Sequence, residues 1–592
     1  MDVCVIISNL KAYEDGQYMK TRIKSNIVFY NTLAIITGIF CGIIAVAFRY
    51  LISGFQYLFF NELGSFLDFC YPYYIIIIPA IGGILVGLLT HYFAKETKGH
   101  GVPEVMTAVT LHGGKIRPIV AGVKAIASAI CIGSGGSAGK EGPIIQIGST
   151  VGSTIAQKLG LTPYQTKVLV TCGAAGGIAA IFNTPIAGVL FALELILREV
   201  KLKSLTPIII SAVFATITAK VLLNYLGVEA TYIFFLPQYT LKTPVEIIFY
   251  LLLGLVAGVV AIIFTKSLYG IEDIFEKIKA PEFIKPAIGG LFVGIIGLVL
   301  FLSSGNPYIF GIGFETMDLL FGGQIVFAVI FALIFLKIIA TSLTLGSGGS
   351  GGVFTPALFI GSMTGGAFGT VIHKIFPTIT ATYEGYAIVG MAAVFAGGSN
   401  AILTAIVLVF EMTGNYMIIL PVMLACVIST SFYKFYMEDT IYTVKLRHRG
   451  IIIEQEMDVN QMKTIKVRDI MNTEVETVNE YLSLKKLSEK IIKTGHMAFP
   501  VVMDGRCLVG IVTHSDFDKI GENEHETLRV KDVMTTELFT VQPDEMLEDV
   551  LIKTENEELS HFPVVNPNKP QEIIGFFTKG DIIRAYTKKR AN

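Results

Sequence analysis

GSGGSAGKEGPIIQIGS at residues 133–149 and GSGGSGGVFTPALFIGS at residues 346–362 align without a gap, at an offset of 213 (346 minus 133). A second pair follows each of them. GAAGGIAAIFNTPIAGVLFALE (173–194) matches GMAAVFAGGSNAILTAIVLVFE (390–411) at an offset of 217 (390 minus 173). All four segments lie in long apolar regions. A hydrophobic chain whose halves carry glycine-interrupted segments in corresponding places has the pattern of a transporter built from internal repeats, with its site where broken helices meet.

Composition agrees with a membrane class. Of 592 residues, 53% are hydrophobic and 16% charged, and the mean hydropathy is +0.64, far above a soluble chain of this length. A net charge of −1 gives no nucleic-acid footprint. Cys4, Cys41, Cys70, Cys131, Cys172, Cys426 and Cys507 are scattered singly, so they read as packing residues, and no metal site is expected. The first 26 residues carry Lys11, Glu14, Asp15, Lys20, Arg22 and Lys24 without the apolar core of a signal peptide.

Apolar stretches recur at 27–55, 73–94, 117–132, 164–198, 205–226, 244–265, 286–303, 324–345, 354–372, 385–413 and 416–435. A simple span needs ~20 apolar residues. Several stretches are longer or shorter and many hold Gly or Pro, which predicts tilted and broken helices. Lys20, Arg22 and Lys24 before this region, and Lys445, Arg447 and Arg449 after it, put both ends in the cytoplasm. The expected division is a segment 1–26, a transmembrane domain 27–445 with halves at about 27–226 and 244–445, and a linker 446–464.

Beyond residue 455 the texture is that of a duplicated α/β unit. VRDIM (467–471) returns as VKDVM (530–534), FPVV (499–502) as FPVV (562–565), and GIVTHSD (510–516) as GFFTKGD (575–581). Short β-rich runs alternate with helical patterns such as LSLKKLSEKIIKTG (482–495). This unit resembles a tandem pair of CBS domains, at 465–522 and 528–588. The resemblance implies an adenosine nucleotide (ATP, ADP or AMP) held between the repeats, with Thr513 and Thr578 on phosphate oxygens and Asp516 and Asp581 on ribose hydroxyls. The plainer alternative is a structural pad. His496 and His514 read as solvated, and the charges at 552–558 as an exposed helix face.

Chemistry concentrates in the membrane part. Backbone N–H groups at a helix start opened by glycines form an anion site. Such a site holds a small anion by partial charges, without a full cation in hydrocarbon. GSGGS (133–137) and GGVFTP (351–356) both fit. Beside the first lies Glu141, in GKEGP (139–143). A carboxylate at membrane depth is unfavourable unless it functions. Ionised, it competes with a permeating anion; protonated, it leaves.

GHGVPE (99–104), GKEGP (139–143), GGVFTP (351–356) and FEMTG (410–414) together resemble the signature set of the CLC family of chloride channels and proton/chloride antiporters. The resemblance implies a polytopic α-helical membrane protein with inverted-topology internal repeats and a cytoplasmic CBS pair. It also implies a homodimer in the lipid bilayer with one chloride pathway per subunit, and no enzyme activity. Position by position, Glu141 matches the gating glutamate, and Val353 and Phe354 match the pair whose amides hold the central anion. Tyr442, in DTIYTVK (439–445), matches the inner-gate tyrosine. His100, Gly101, Gly139, Lys140, Gly142 and Gly352 complete the anion-binding set.

Two positions depart from the family pattern. His100 stands where GSGIP supplies serine, and an imidazole titrates near neutral pH. Leu195 follows Glu194 where many antiporters place a proton-relay glutamate, and leucine carries no proton. Leu195 leans the reading slightly towards uncoupled flow, with a proton/chloride antiporter using a water route as the alternative. Glu194 and Glu411 read as structural. A prokaryotic plasma membrane is the expected location. The remote rival is an intramembrane serine hydrolase, because GGSAG (135–139) and GGSGG (348–352) satisfy G-x-S-x-G and Ser350 would take His373 as base. GKEG lacks the Ser or Thr of a phosphate-binding loop.

Overall fold

The computed structural model describes residues 3–198, 201–228, 241–449, 451, 465–494, 496–513, 516, 527–554 and 559–582. Residues 450 and 452–464 of the expected linker, His514, residues 555–558 and the side chains of residues 1–26 lie outside that description. The chain divides into two compact units, Met1–Ile453 and Glu454–Asn592.

In the first unit, nine helices among the described residues are long and apolar enough to cross a membrane. Pro163–Phe182 and Phe354–Ile375 are 83% and 78% buried within the unit, whereas outer spans such as Lys203–Tyr225 and Lys285–Ser304 are only 39% buried. On the outer helices one face stays apolar and exposed, as at Leu252, Val259, Val299 and Phe331, while Leu253, Ala257, Val293 and Leu333 face inward. Exposed apolar surface on this scale marks a lipid-facing rim. Cys41, Cys131, Cys172 and Cys426 are buried and free, as packing residues should be.

Two of the long apolar stretches prove to be paired helices. The stretch 164–198 breaks at Asn183 into Pro163–Phe182 and Pro185–Phe191, the latter ending in a π-helical turn, Ala192–Leu197. The stretch 385–413 breaks at Asn400 into Tyr383–Ser399 and Ile402–Thr413. Both asparagines take the left-handed conformation at φ 59° that ends a helix. Asn183-Thr184-Pro185 is a stop followed by a start, with proline at the first helical position.

The halves interlock by exchange. Gly139 N–H donates to Gly352 O (2.8 Å) and Gly352 N–H donates to Gly139 O (2.7 Å), an antiparallel pair between residues one repeat offset apart. Ser128 bonds Ser350 (2.9 Å) while Ser137 bonds Thr341 (3.0 Å), the same contact with the halves swapped. Gly148 meets Gly173 backbone to backbone, and Gly361 meets Gly390 in the same way. Such close crossings suit a membrane, where packing rather than water drives helix association.

The second unit repeats the device. Among the described residues its sheet has five strands, ordered β1 (Val478–Asn479), β2 (Ala498–Met503), β3 (Cys507–Thr513), β5 (Lys569–Thr578), β4 (His561–Asn566). Strands β2–β3 and β4–β5 are matching hairpins, joined where Cys507 pairs with Glu572. The VRDIM segment of one repeat lies on the hairpin of the other. Asn472 and Phe576 exchange N–H···O bonds (2.8 and 3.0 Å), and so do Thr535 and Ile511 (2.9 and 3.0 Å).

Candidate functional site

Three glycine-opened segments converge at the crossing of the halves. The loop Gly99–Gly101 precedes the helix Val102–Leu111, with Gly101 at φ 82° as its cap, a backbone that favours glycine. Gly99 N–H donates to Gly349 O (2.9 Å), and the carbonyl of His100 abuts Gly142 so closely that any side chain at 142 would strike it. Gly142 in turn lies against Gly352. The structure therefore brings His100, Gly101, Gly139, Lys140, Glu141, Gly142 and Gly352 together, with Val353 and Phe354 opening the next helix.

Glu141 is the first residue of the helix Glu141–Lys158 and is fully buried. Its Oε2 accepts the backbone N–H of Thr355 (3.2 Å) and its Oε1 accepts the Thr355 hydroxyl. The carboxylate thus sits on the amino-terminal turn of the helix Phe354–Ile375, where unbonded N–H groups and the helix dipole favour negative charge. Thr355 is a partner that sequence reading passed over, although it stands inside GGVFTP; a hydroxyl in the first turn of that helix was the available signal. The Phe354 ring packs against Phe395 (4.3 Å between centroids), Phe182 (5.6 Å) and Phe191 (6.0 Å).

The Lys140 Nζ lies over the rings of Phe314 (5.1 Å) and Phe182 (5.7 Å) and acts electrostatically on the neighbouring Glu141 carboxylate. Tyr442 is buried in the turn before the helix Val444–His448, with its ring 5.9 Å from that of His100. Tyr269, on the helix Ile247–Lys277, was not legible as a site residue, being one tyrosine in a long apolar run. Its hydroxyl donates to Ile441 O (2.6 Å) and lies 3.2 Å from His100 Nε2. Arg449 and Lys445 meet Glu104 (2.8 and 3.7 Å), which pins the helix Val444–His448 to the helix that follows His100.

Leu195 is buried in the π-helical turn, which packs against the helices Val102–Leu111 and Pro163–Phe182. Its neighbour Glu194 accepts the N–H groups of Leu403 (3.1 Å) and Thr404 (2.9 Å), while Glu411 accepts those of Ile186 (3.1 Å) and Ala187 (2.8 Å). Each glutamate caps a helix of the opposite half.

The hydrolase alternative fails on geometry. Ser350 bonds Ser128 and donates to Thr97 O (2.9 Å), while His373 Nδ1 pairs with Thr380 (3.2 Å), so no Ser–His couple forms. In the second unit Asp516 Oδ2 accepts from the Thr513 N–H (3.0 Å) and hydroxyl (2.7 Å), and Asp581 Oδ2 accepts from Thr578 in the same two ways (2.9 and 2.7 Å). His496 is exposed.

Comparison with known proteins accords with this geometry. The voltage gated chloride channel family model matches residues 82–434, and the CBS domain model matches 467–521 and 530–588. An H(+)/Cl(-) exchange transporter ClcA of Yersinia pestis is 31% identical over 452 residues, 73% of this chain and 92% of that protein. The crystal structure of a slow cyanobacterial Cl-/H+ antiporter superposes with a TM-score of 0.64 at 26% identity, covering 71% of this chain and 97% of the other. A eukaryotic CLC transporter shares the fold over 94% of this chain and 98% of its own, with a TM-score of 0.67 at 17% identity. Built from two interlocked glycine-cradled halves and followed by a tandem CBS pair, this integral membrane protein of anion transport belongs to the CLC family.

Proposed function

We propose that the protein moves chloride across the membrane in exchange for protons, with Glu141 as the gate. The observation that carries this is the Glu141 carboxylate lying on the N–H and hydroxyl of Thr355: a tethered anion occupies the helix start that a free anion would use. Protonation of Glu141 frees that position, which ties one ion to the other. Val353, Phe354, Gly352, Gly139, Gly142 and the backbone of Lys140 form the cradle. His100, Gly101 and Tyr442 form its inner end. The exchange activity named for the Yersinia relative and for the cyanobacterial structure supports coupling.

Leu195 favours a second reading, in which anion flow is uncoupled, because it leaves the usual relay position without a titrating group. In either reading the protein works as a homodimer in a prokaryotic plasma membrane, with its N-terminus and CBS pair cytoplasmic. Adenosine nucleotide at Thr513, Asp516, Thr578 and Asp581 regulates it.

The test is purified protein in liposomes under a chloride gradient, with chloride and proton movement recorded together. Uphill proton movement at a fixed ratio to chloride supports exchange, and Glu141→Gln then keeps chloride flux while proton movement ends. Chloride flux without protons in the unmodified protein selects the uncoupled reading, and an absence of chloride flux removes both.

A further inference from the structure

His100 is held in one orientation by a chain of two hydrogen bonds whose direction is fixed. The Tyr269 hydroxyl has a single hydrogen, and it goes to Ile441 O at 2.6 Å, since a carbonyl only accepts. The Tyr269 oxygen can then only accept from His100, so Nε2, at 3.2 Å, carries a hydrogen. A neutral imidazole has one N–H. With Nε2 protonated, Nδ1 presents a bare lone pair. Nδ1 is buried and has no hydrogen-bond partner among the described residues, and the residue is only 3% exposed.

The ring that carries this lone pair stands among the anion-site residues. The His100 carbonyl rests on Gly142, next to Glu141, and the His100 ring stands 5.9 Å from the Tyr442 ring. In this tautomer Nδ1 repels an anion; with a second proton it becomes a charged donor, the stronger kind of hydrogen bond to an anion. Burial, with Lys445, Lys124 and Arg449 nearby, holds the imidazole well below its usual range while no anion is present. Lys124 is tied to the carbonyls of Thr97 and Gly99 (2.9 and 2.7 Å), Glu104 is engaged by Lys445 and Arg449, and Glu272 acts on Lys445. An imidazolium in this cationic setting draws its countercharge from the transported anion.

We propose that His100 takes up a proton together with each anion that enters the loop Gly99–Gly101, so that the inner end of the pathway is itself a proton-linked anion site. Nδ1 gains the proton from water as the anion arrives and returns it as the anion leaves. Tyr269 is the positioning residue that keeps the other ring nitrogen occupied. This rests on the reading of these segments as the chloride path. It gives a proton-binding group to a chain whose relay position is Leu195.

The test is chloride binding by calorimetry to purified Glu141→Gln protein, which removes the gate's own proton. Titrations in two buffers of different ionisation enthalpy give the protons taken up per chloride. The expected result is proton uptake with chloride that is largest at about pH 6 and fades as pH rises, with affinity weakening by up to about tenfold per pH unit where the uptake is full. Adding His100→Ser should leave chloride binding without proton uptake. Adding Tyr269→Phe should lower the uptake while the histidine remains, because the freed neutral ring can turn an N–H to the anion. Chloride binding without proton uptake in Glu141→Gln, or uptake unchanged by His100→Ser, overturns the role of His100 and leaves the chloride path standing. Failure of Glu141→Gln protein to bind chloride overturns the path and the role of His100 with it.

Discussion

The two halves of the membrane unit share one scaffold and differ where the ion passes. With 213 added to each number, Gly139 falls on Gly352, Lys140 on Val353, Glu141 on Phe354 and Gly142 on Thr355. Both members of each pair stand at or before the first turn of a buried helix. One half contributes a carboxylate, the other the N–H and hydroxyl that receive it. The loops before them extend the comparison. GHGVPE (99–104) has its counterpart in GIGFET (311–316), at an offset of 212, with Gly101 at φ 82° matched by Gly313 at φ 93°. His100 thus stands where the other half has Ile312. Backbone pairing, caps and crossings are duplicated, while the Glu141 carboxylate and the His100 imidazole are not. Symmetry builds the cradle, and departures from it direct the ion.

Alanine at Gly142 tests that contrast most severely. Its repeat mate Thr355 carries a side chain without difficulty, but at Gly142 a methyl group collides with the His100 carbonyl, which is backbone and cannot rotate away. Gly142→Ala should abolish chloride transport in liposomes and lower stability towards the upper end of the ~1–3 kcal/mol typical of overpacking. Retention of transport would mean that the two loops are not held together at the site.

The next comparison uses a pair of buried lysines. Lys337 is Lys124 plus 213, and both are fully buried. Lys124 binds the carbonyls of Thr97 and Gly99, and Lys337 those of Ile309 (2.9 Å) and Gly311 (3.2 Å). Methionine at either position keeps the stem and strips a charged donor from two carbonyls, a loss of about 2 kcal/mol by thermal denaturation. The sharpening lies in function. Lys124→Met loosens the loop that carries His100 and should weaken chloride affinity, while Lys337→Met should lower stability alone. Equal effects on chloride would deny that the loops have different duties.

Thr355→Val removes the hydroxyl and keeps the shape. A hydrogen bond to a charged group contributes about 1.5–3 kcal/mol, and loss of the hydroxyl leaves the N–H of Thr355 still bonded to Glu141. The gate should therefore open more readily, with chloride flux rising several-fold at neutral pH and its activation by acid becoming shallower. Flux unchanged by Thr355→Val would show that the hydroxyl does not hold the gate.

Much of this was legible because the repeats are. Glycine pairs at fixed offsets announced where backbones cross, and the doubled VRDIM and FPVV segments announced the paired hairpins of the second unit. Three features were hidden for physical reasons. The breaks at Asn183 and Asn400 sit inside unbroken apolar runs, so hydropathy alone passed over them. The GIGFET loop shares only glycines with GHGVPE, because its duty is structural and its side chains are free to differ. Tyr269 is reached across 169 residues, and nothing local in an apolar helix signals that its hydroxyl points at an imidazole.

The smallest effects come from the reciprocal caps, and they separate Glu194 from its neighbour Leu195. Glutamine at Glu194 or at Glu411 keeps the side-chain shape but loses the charge that two N–H groups of the opposite half share, at about 1 kcal/mol each. The two caps form a closed ring. Glu194 lies on the segment whose start Glu411 caps, and Glu411 lies on the helix whose start Glu194 caps. Releasing one helix start lets the other glutamate drift, so the two losses should couple. The double variant should be destabilised by less than the sum of the singles in a double-mutant cycle. The ratio of protons to chloride should not change in any of the three, since these carboxylates are spent on the helix starts of the opposite half. Strict additivity would show the caps to be independent, and a changed ratio would place Glu194 on the proton route despite the leucine beside it.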